Sequence, residues 1–200
     1  RQRHHKTPLL SQASPVGYYG MANSSPLAED APPGADSLSQ ICVQWEDSTK
    51  AVEEMGVRRV IARLGVVLSP TKGALARLML PYKFFIGGPL GSGRQWLSWI
   101  HPADVTAGLL YLAQEPRARG AYNLTAPNPL TNAQFGAVLG KVMHRPHWIP
   151  VPAFVLKILV GEMSIMVLEG QRPMPYRLQE LGFSFRFPHA REALEDLLQK

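Results

Sequence analysis

Strand-like and helix-like segments alternate along this chain, and the alternation limits the folds open to it. The run from Val57 to Leu68 is rich in β-branched residues and predicts a buried strand. Before it, Asp36 is placed to cap a helix of about eighteen residues that carries Ile41 and Trp45. Strands that alternate with helices indicate an α/β fold with a largely parallel sheet.

The other predicted elements extend this pattern to both ends of the chain. They are a strand end and loop at 8–19, a helix at 74–80, an aromatic strand before His101, a helix capped by Asp104, a strand at 121–125, a helix from Thr131, helices at 153–169 and 190–199, and a strand at 182–187. A proline-rich stretch near 146–152 then divides the chain. We expect an α/β domain at 1–145 and a small α+β lobe at 146–200.

The stretch from Ile86 to Val105 reads I-G-G-P-L-G-S-G-R-Q-W-L-S-W-I-H-P-A-D-V and predicts the rim of a site. Its four glycines suit a sharp turn or a close approach of the backbone. A phosphate-binding loop is not favoured at 88–93, because a Trp-rich strand follows rather than a helix. The glycines therefore predict a hairpin.

Composition excludes several kinds of protein and of site. The sequence has no apolar run near the length of a membrane span, and its single cysteine, Cys42, cannot form an intrachain disulfide. No second cysteine stands near a histidine, so no metal site is expected. The net charge of +6 is scattered outside the extreme N-terminus and no nucleic-acid motif is present, so neither a nucleic-acid nor a membrane partner is expected.

Ligands of open parallel sheets bind at the carboxyl ends of the strands. In this sequence those ends are predicted near Ser11–Ser14, Val66–Leu68 and Leu124–Ala126. We therefore expect the site at this edge.

A set of ordered motifs carries a family resemblance over residues 10–200. The motifs are S-Q-A-S-P-V-G-Y-Y-G (11–20), R-L-G-V-V-L-S-P (63–70), G-G-P-L-G-S-G-R-Q-W-L-S-W-I-H-P-A-D (87–104), T-A-P-N-P-L-T-N-A-Q-F (125–135) and V-L-E-G-Q-R-P-M-P-Y-R-L-Q-E-L-G-F-S-F (167–185). Together they resemble an extended short-chain dehydrogenase/reductase of the atypical epimerase-family or cell-division-inhibitor-like branch. The last motif resembles the DUF1731-type terminal domain of that branch.

The resemblance implies part of a Rossmann-like, doubly wound parallel sheet and a cofactor that is NADP, or NAD. The family's G-x-x-G-x-x-G fingerprint, which holds the cofactor pyrophosphate, does not occur in this sequence. We therefore expect the chain to correspond to the C-terminal two-thirds of a family member, without its nucleotide-binding third. By itself it is expected to bind a dinucleotide poorly.

Catalysis in the family uses a Ser or Thr together with a Tyr and a Lys four residues apart. None of the tyrosines here has a lysine four residues later. Members of the atypical branch commonly lack this Tyr/Lys pair as well. Ser14 matches the family's Ser/Thr position, and Tyr19, beside Tyr18, is the candidate proton donor. Ser14 and Tyr19 are the predicted catalytic residues.

Other residues gain expected roles from the same resemblance. The predicted cofactor-binding residues are Ser11, Arg63, Gly65, Val66 and Val67. The predicted substrate-side residues are Arg94, Trp99 and His101. Nucleotide-sugar enzymes of the family often place a phosphate-binding Arg where this chain has Leu97, so a nucleotide-sugar substrate is not expected, although Arg94 lies three residues earlier. Gln171 and Arg172 are candidates to close over the pocket.

Three functions remain open at this point. The first is an NAD(P)-dependent oxidoreductase or epimerase acting on an unidentified small molecule. The second is a non-catalytic, cofactor-sensing interaction protein linked to cell or plastid division. The third is a chain that pairs with a separate N-terminal half. The resemblance allows a homodimer through the helix at 36–55, in the cytoplasm or a plastid.

Overall fold

The computed structural model describes residues 8–20, 25–151 and 170–199, and the predicted helix at 153–169 lies outside them. The strands are β1 (Leu9–Pro15), β2 (Arg58–Leu64), β3 (Val66–Val67), β4 (Trp96–Leu97), β5 (Trp99–Ile100), β6 (Gly120–Leu124) and β7 (Leu130–Thr131). The α-helices are α1 (Ser37–Asp47), α2 (Gly73–Lys83), α3 (Pro102–Gln114), α4 (Asn132–Met143), α5 (Tyr176–Glu180) and α6 (Ala190–Leu198).

The main sheet has the order β1-β2-β6 and both of its strand pairs are parallel, which confirms the α/β prediction. In the register of the sheet, Ser14 pairs with Arg63 and Arg63 pairs with Asn123. Because the strands are parallel, their carboxyl ends lie at one edge of the sheet.

The strand predicted from Val57 to Leu68 is split at Gly65. The Gly65 N–H donates to the Leu124 carbonyl (3.1 Å), and the next N–H, of Val66, donates to the Ser98 carbonyl (2.7 Å). A Cβ on Gly65 would lie 2.5 Å from that same carbonyl oxygen, so only glycine fits here. The chain therefore leaves the main sheet at Gly65, and β3 pairs in parallel with β5.

Helix α1 has 11 residues rather than about eighteen, and a short 3₁₀ segment (Lys50–Glu53) follows it. The predicted cap is confirmed, because the Asp36 carboxylate accepts the Ser39 N–H at 2.9 Å. The large apolar residues of α1 face outwards: Ile41 is 62% exposed and Trp45 is 57% exposed. The buried face of α1 carries the polar or small side chains of Ser39, Cys42 and Glu46.

The glycine stretch forms a turn but not a hairpin. Its two sides pair with other parts of the chain: Leu90 bridges Val151, whereas Trp96 and Leu97 pair with β7. The Asn132 side chain holds the turn by accepting the Leu90 N–H at 2.8 Å. The aromatic strand is likewise interrupted at Ser98, which gives the short strands β4 and β5.

Helix α2 also differs from its prediction, because it continues to Lys83 with Pro81 inside it. Helix α4 begins as predicted. The Thr131 hydroxyl accepts the Gln134 N–H, and the Gln134 side chain accepts the Thr131 N–H at 2.9 Å, which together form a capping box.

Asp104 is not the cap of helix α3, as the sequence predicted. His101 takes that role, because its Nδ1 accepts the Ala103 N–H at 3.1 Å. The buried Asp104 carboxylate instead accepts the backbone N–H groups of Arg186 (2.8 Å) and Phe187 (3.0 Å). The strand predicted at 182–187 is therefore not formed, since a side chain rather than a neighbouring strand takes up these N–H groups.

Residues from the predicted C-terminal lobe pack into the same cores as the sheet. One core joins helices α2, α4 and α6 around Trp99, and Ala193 and Leu194 belong to it. The other core lies between the sheet and α3 and includes Leu178 of α5. The described part of 146–200 thus packs with the sheet, and the boundary near residue 145 stays a prediction.

We predict that Asp104→Ala lowers the free energy of unfolding by about 2–4 kcal/mol, because the backbone N–H groups of Arg186 and Phe187 both lose the buried side chain that accepts from them. Urea unfolding measures the loss. Asp47→Ala, at an exposed position in α1, is the matched control and should change stability by less than about 0.5 kcal/mol. Equal effects of the two variants would contradict this role for Asp104.

Candidate functional site

Three buried polar side chains form a row at the carboxyl edge of the main sheet. Ser14, Arg63 and Asn123 occupy matching positions in β1, β2 and β6. Side chains at matching positions of parallel strands point to the same face of the sheet. The row therefore lies on the face of the sheet that α1 covers. It also lies at the carboxyl ends of the strands, where sheets of this kind bind their ligands.

Arg63 is the centre of this row. Its Nε and one terminal nitrogen donate to the two carboxylate oxygens of Glu46 at 2.9 and 2.8 Å. The other terminal nitrogen donates to the Tyr19 hydroxyl (2.9 Å) and to the Glu29 carbonyl (3.0 Å). The guanidinium also lies over the Tyr18 ring, 3.4 Å from its centroid. Since a guanidinium has five N–H donors, protein groups already occupy most of them.

Burial by itself lowers the pKa of Arg63, but the hydrogen bonds and charge of Glu46, together with Tyr19, raise it above its usual value. Arg63 is thus a permanent cation, and Glu46 is its ion-pair partner. This geometry gives the side chain a role in holding the site together. Its predicted part in binding the cofactor stays a prediction.

Tyr19 lies beside Arg63 with both of its hydrogen-bonding positions in use. Its hydroxyl donates to the Asn123 side-chain oxygen at 2.8 Å and accepts from Arg63. Burial raises the pKa of the Tyr19 phenol, while the nearby Arg63 opposes this shift. The phenol is therefore protonated at neutral pH, and it would have to release Asn123 before donating its proton to a ligand.

Glu29 ties two further segments to the row. Its carboxylate accepts the N–H groups of Asn123 (3.2 Å) and Arg177 (3.3 Å), and burial raises the pKa of this carboxyl. Residues 170–174, which we call the C-terminal strap, run across the same edge. The Asn123 amide donates to the Met174 carbonyl at 3.0 Å, and the Thr125 hydroxyl donates to the Pro173 carbonyl at 3.0 Å.

Ser14 differs from its neighbours in the row. Its Oγ is buried and has no hydrogen-bond partner among the residues that the structure describes. Buried hydroxyl groups are normally paired, because leaving one unpaired costs free energy. Ser14 can therefore offer its hydroxyl to a ligand at this edge.

The structure brings Ser14, Tyr19 and Arg63 together and sets other predicted residues apart. Ser11 is exposed on the opposite face of β1, since strand side chains alternate between faces. Gly65, Val66 and Val67 continue from Arg63 into the small β3-β5 sheet.

The predicted substrate-side residues also lie apart from the row. Arg94 is exposed on the glycine turn. Trp99 is fully buried in a core, with its ring centroid 6.5 Å from that of Phe135. His101 packs on Phe187, and its Nε2 lies 3.4 Å from a carboxylate oxygen of Asp196. Their contact with a substrate stays a prediction.

Sequence reasoning missed Asn123, Glu46 and Glu29. Asn123 carried a usable signal, because a polar amide inside the apolar strand A-Y-N-L needs a buried partner. Glu46 lies on one helix face with Ser39 and Cys42, but that face becomes recognisable only once Arg63 is known to lie beneath it. Glu29 lies in a loop segment, and no pattern marks it.

Neither a metal cluster nor a membrane-crossing helix is found in the described residues. Within 8–20, 25–151 and 170–199, no group of three or more His, Cys, Asp or Glu side chains is arranged to hold a metal ion. Over those same ranges, no helix is both long and apolar enough to cross a membrane.

Comparison with known proteins gives consistent matches. A domain of unknown function, DUF1731, matches residues 151–197. The epimerase family protein YfhF of Bacillus subtilis is 44% identical over 194 residues, which cover 96% of this chain and 64% of that protein. The chloroplastic epimerase family protein SDR39U1 homolog of Arabidopsis thaliana is 42% identical over 96% of this chain and 55% of its own length.

The crystal structure of human epimerase family protein SDR39U1 (isoform 2) with NADPH superimposes with a TM-score of 0.88 at 30% identity. The match covers 99% of this chain and 68% of the human chain. This chain therefore spans little more than half to two-thirds of the length of these relatives.

We predict that Glu46→Ala lowers the free energy of unfolding by about 3–5 kcal/mol, because it leaves the Arg63 cation buried without its counter-ion. Urea unfolding measures this. Replacing both partners, as in Glu46→Leu with Arg63→Met, should recover most of the loss. The matched control is Glu53→Ala, since Glu53 makes a more exposed ion pair with Arg59, and it should cost at most about 1 kcal/mol. A Glu46 effect no larger than that of Glu53 would overturn the assignment.

Proposed function

The chain belongs to the epimerase family of short-chain dehydrogenases/reductases, and we propose on this premise that it contributes the substrate side of an NADP(H)-dependent oxidoreductase or epimerase. Its substrate is a small molecule. The observation that carries the proposal is the polar row at the carboxyl edge of the sheet, in which Ser14 keeps a buried hydroxyl without a partner. This edge is where sheets of this kind bind their ligands.

The human relative with NADPH supports NADP(H) as the cofactor. The backbone of Gly65, Val66 and Val67 fits this role, because it leaves the main sheet at its carboxyl edge and continues into the β3-β5 sheet. The cofactor supplies hydride transfer when bound. The residues of this chain bind and orient the substrate and carry the proton that is transferred to it.

Ser14 is the group that we propose orients a substrate hydroxyl or carbonyl. Tyr19 is the proposed proton donor, and its release from Asn123 would be the step that frees its proton. Arg63 holds Tyr19 in place by donating to its hydroxyl, and Glu46 in turn fixes the Arg63 guanidinium. Arg94, Trp99 and His101 are proposed to contribute to the substrate side.

The alternative of a division-linked interaction protein gains no support from the relatives described above, whose names refer to an epimerase family. The bacterial relative supports a cytoplasmic location, and the chloroplastic Arabidopsis relative supports a plastid in a plant setting. We propose that this chain is located in the cytoplasm.

A hybrid protein tests the cofactor proposal. In it, this chain replaces the matching 194 residues of the Bacillus subtilis relative. We expect the folded hybrid to bind NADPH more tightly than NADH, measured by energy transfer from tryptophan to the reduced nicotinamide. A folded hybrid that binds neither dinucleotide would overturn the proposal.

The same hybrid tests the catalytic residues. We expect it to consume NADPH with some member of a panel of aldehydes, ketones, quinones and sugars. Ser14→Ala should keep NADPH binding but slow that turnover by about tenfold or more, through loss of one orienting hydrogen bond. Ser48→Ala, at an exposed position after α1, is the control. Tight NADPH binding without turnover on any substrate would favour a cofactor-sensing role instead.

We further propose that the protein forms a homodimer through α1. Leu38, Ile41 and Trp45 are all exposed and lie at spacings of three and four residues, which places them on one face of the helix. An exposed apolar stripe of this kind is typical of a helix–helix contact. A twofold contact would bury the stripe against its own copy.

Sedimentation equilibrium tests the dimer. The wild-type chain is expected to dimerise at micromolar concentration, and Ile41→Glu should raise the dissociation constant by about tenfold or more, because it would bury a charge at the contact. Leu110→Glu is the matched control, since Leu110 is similarly exposed on α3. A monomeric wild type, or an Ile41→Glu variant that dimerises normally, would contradict the proposal.

A further inference from the structure

The C-terminal strap carries an arginine, Arg172, that the described residues leave without a partner at Nε. The Nε of Arg172 is buried and has no hydrogen-bond partner among the described residues. Within those residues, none of the ion pairs includes Arg172 either. Its guanidinium lies over the Trp96 ring, 4.3 Å from the ring centroid. The contact with the indole is favourable, but it uses the flat face of the guanidinium and not its N–H donors.

The backbone around Arg172 is held firmly at the carboxyl edge of the sheet. The Ser98 hydroxyl donates to the Gln171 carbonyl (2.7 Å), and the Leu27 N–H donates to the Arg172 carbonyl (2.9 Å). The next carbonyl, of Pro173, accepts from Thr125. These contacts use the strap backbone alone. They fix where the Arg172 side chain begins and leave its charged end available.

The described residues supply no counter-ion to Arg172, and the nearest acidic residue in the sequence, Glu169, lies outside them. No Asp or Glu occurs between Glu54 and Asp104, the region that contains Trp96. Glu29, two residues after Leu27, already accepts the N–H groups of Asn123 and Arg177. A partly buried cation without a counter-ion is unfavourable, so this arrangement is suited to an anion from outside the described residues.

Arg145 offers an instructive contrast. It also has a buried Nε without a partner and lies over an aromatic ring, that of Phe85, at 4.4 Å. However, its terminal nitrogen donates to the His144 carbonyl at 3.1 Å, at the C-terminal end of α4. Carbonyl groups at a helix C-terminus favour a cation. Arg145 therefore has a structural explanation that Arg172 lacks.

We propose that Arg172 and Trp96 form a subsite for an oxyanion, a carboxylate or a phosphate carried by the substrate. The planar fork of a guanidinium matches both groups, and the Trp96 ring holds the fork in place. The assignment of this anion to the substrate rests on the proposed function. The binding of the anion itself does not.

Nitrogen-15 NMR of the 200-residue chain tests the subsite directly, through the Nε–H resonances of arginine and the Nε1–H resonances of tryptophan. The probes are inorganic phosphate and malonate, each compared with sodium chloride at equal ionic strength. We expect the Arg172 and Trp96 resonances to shift together and to saturate with one dissociation constant. The probe that saturates at the lower concentration identifies the group as phosphate or carboxylate.

Three variants sharpen the test. Arg172→Gln should abolish the saturable Trp96 shift, and Arg172→Lys should raise the dissociation constant by about tenfold, because an ammonium group cannot make the bidentate contact. Arg145→Gln is the matched control and should bind as the wild type does. Dispersed amide resonances verify that each variant is folded. If Arg172→Gln does not fold, Arg172→Lys is used for the test instead.

Shifts that grow linearly, appear equally with chloride or persist in Arg172→Gln would overturn the subsite. Because the readout contains no NADPH, the two proposals can fail separately. Saturable anion binding alongside a hybrid that binds no dinucleotide would keep the subsite and overturn the proposed function. NADPH binding and turnover without any anion effect would overturn the subsite alone.

Discussion

The buried charge of Arg63 is the constraint on which much of this structure depends. A guanidinium cannot lose its proton to escape burial, so the protein must surround it with acceptors. Glu46 supplies two of them, and Tyr19 and the Glu29 backbone supply others. Helix α1 must therefore turn the face that carries Glu46 towards the sheet. That requirement explains why Ile41 and Trp45 point outwards, against the usual preference for burying apolar side chains.

The same network reaches the C-terminal residues. Tyr19 joins Arg63 to Asn123, and the amide of Asn123 holds the strap through the Met174 carbonyl. On the other side of the sheet, Asp104 holds the backbone of Arg186 and Phe187. Two sets of buried acceptors and donors thus attach the end of the chain to the sheet, and the apolar contacts of Leu178 and Leu194 fill the space between.

The sequence allowed prediction of those features that short-range patterns encode. The parallel sheet, the Asp36 and Thr131 caps and helix α6 follow from hydrophobic periodicity and capping residues. The motifs also pointed correctly to the family. The orientation of α1 could not be predicted, because its apolar pattern favours the wrong face and Arg63 lies 17 residues away from Glu46 in sequence.

Asp104 shows a second limit of local patterns. An aspartate at the start of a helix is equally suited to capping that helix and to accepting N–H groups from a distant segment. The aromatic residues near Phe187 favour a strand, yet the backbone there follows its partner rather than its propensity. Likewise, Gly65 is recognisable as a break only once Ser98 is known to approach it.

The polar groups at the carboxyl edge fall into two classes, those that are hydrogen-bonded to one another and those that have no partner among the described residues. Tyr19, Arg63, Asn123 and Glu29 hydrogen-bond to one another, so these polar groups are paired before any ligand binds. The Ser14 hydroxyl lies at this edge, and the Arg172 Nε belongs to the strap whose backbone crosses it; neither atom has a partner in the part of the chain that the structure describes. Since buried polar groups are rarely left unpaired, ligand atoms are the natural partners for these two. A substrate that satisfied both would carry a hydroxyl or carbonyl for Ser14 and an anionic group for Arg172, beside polar groups that are paired before it binds.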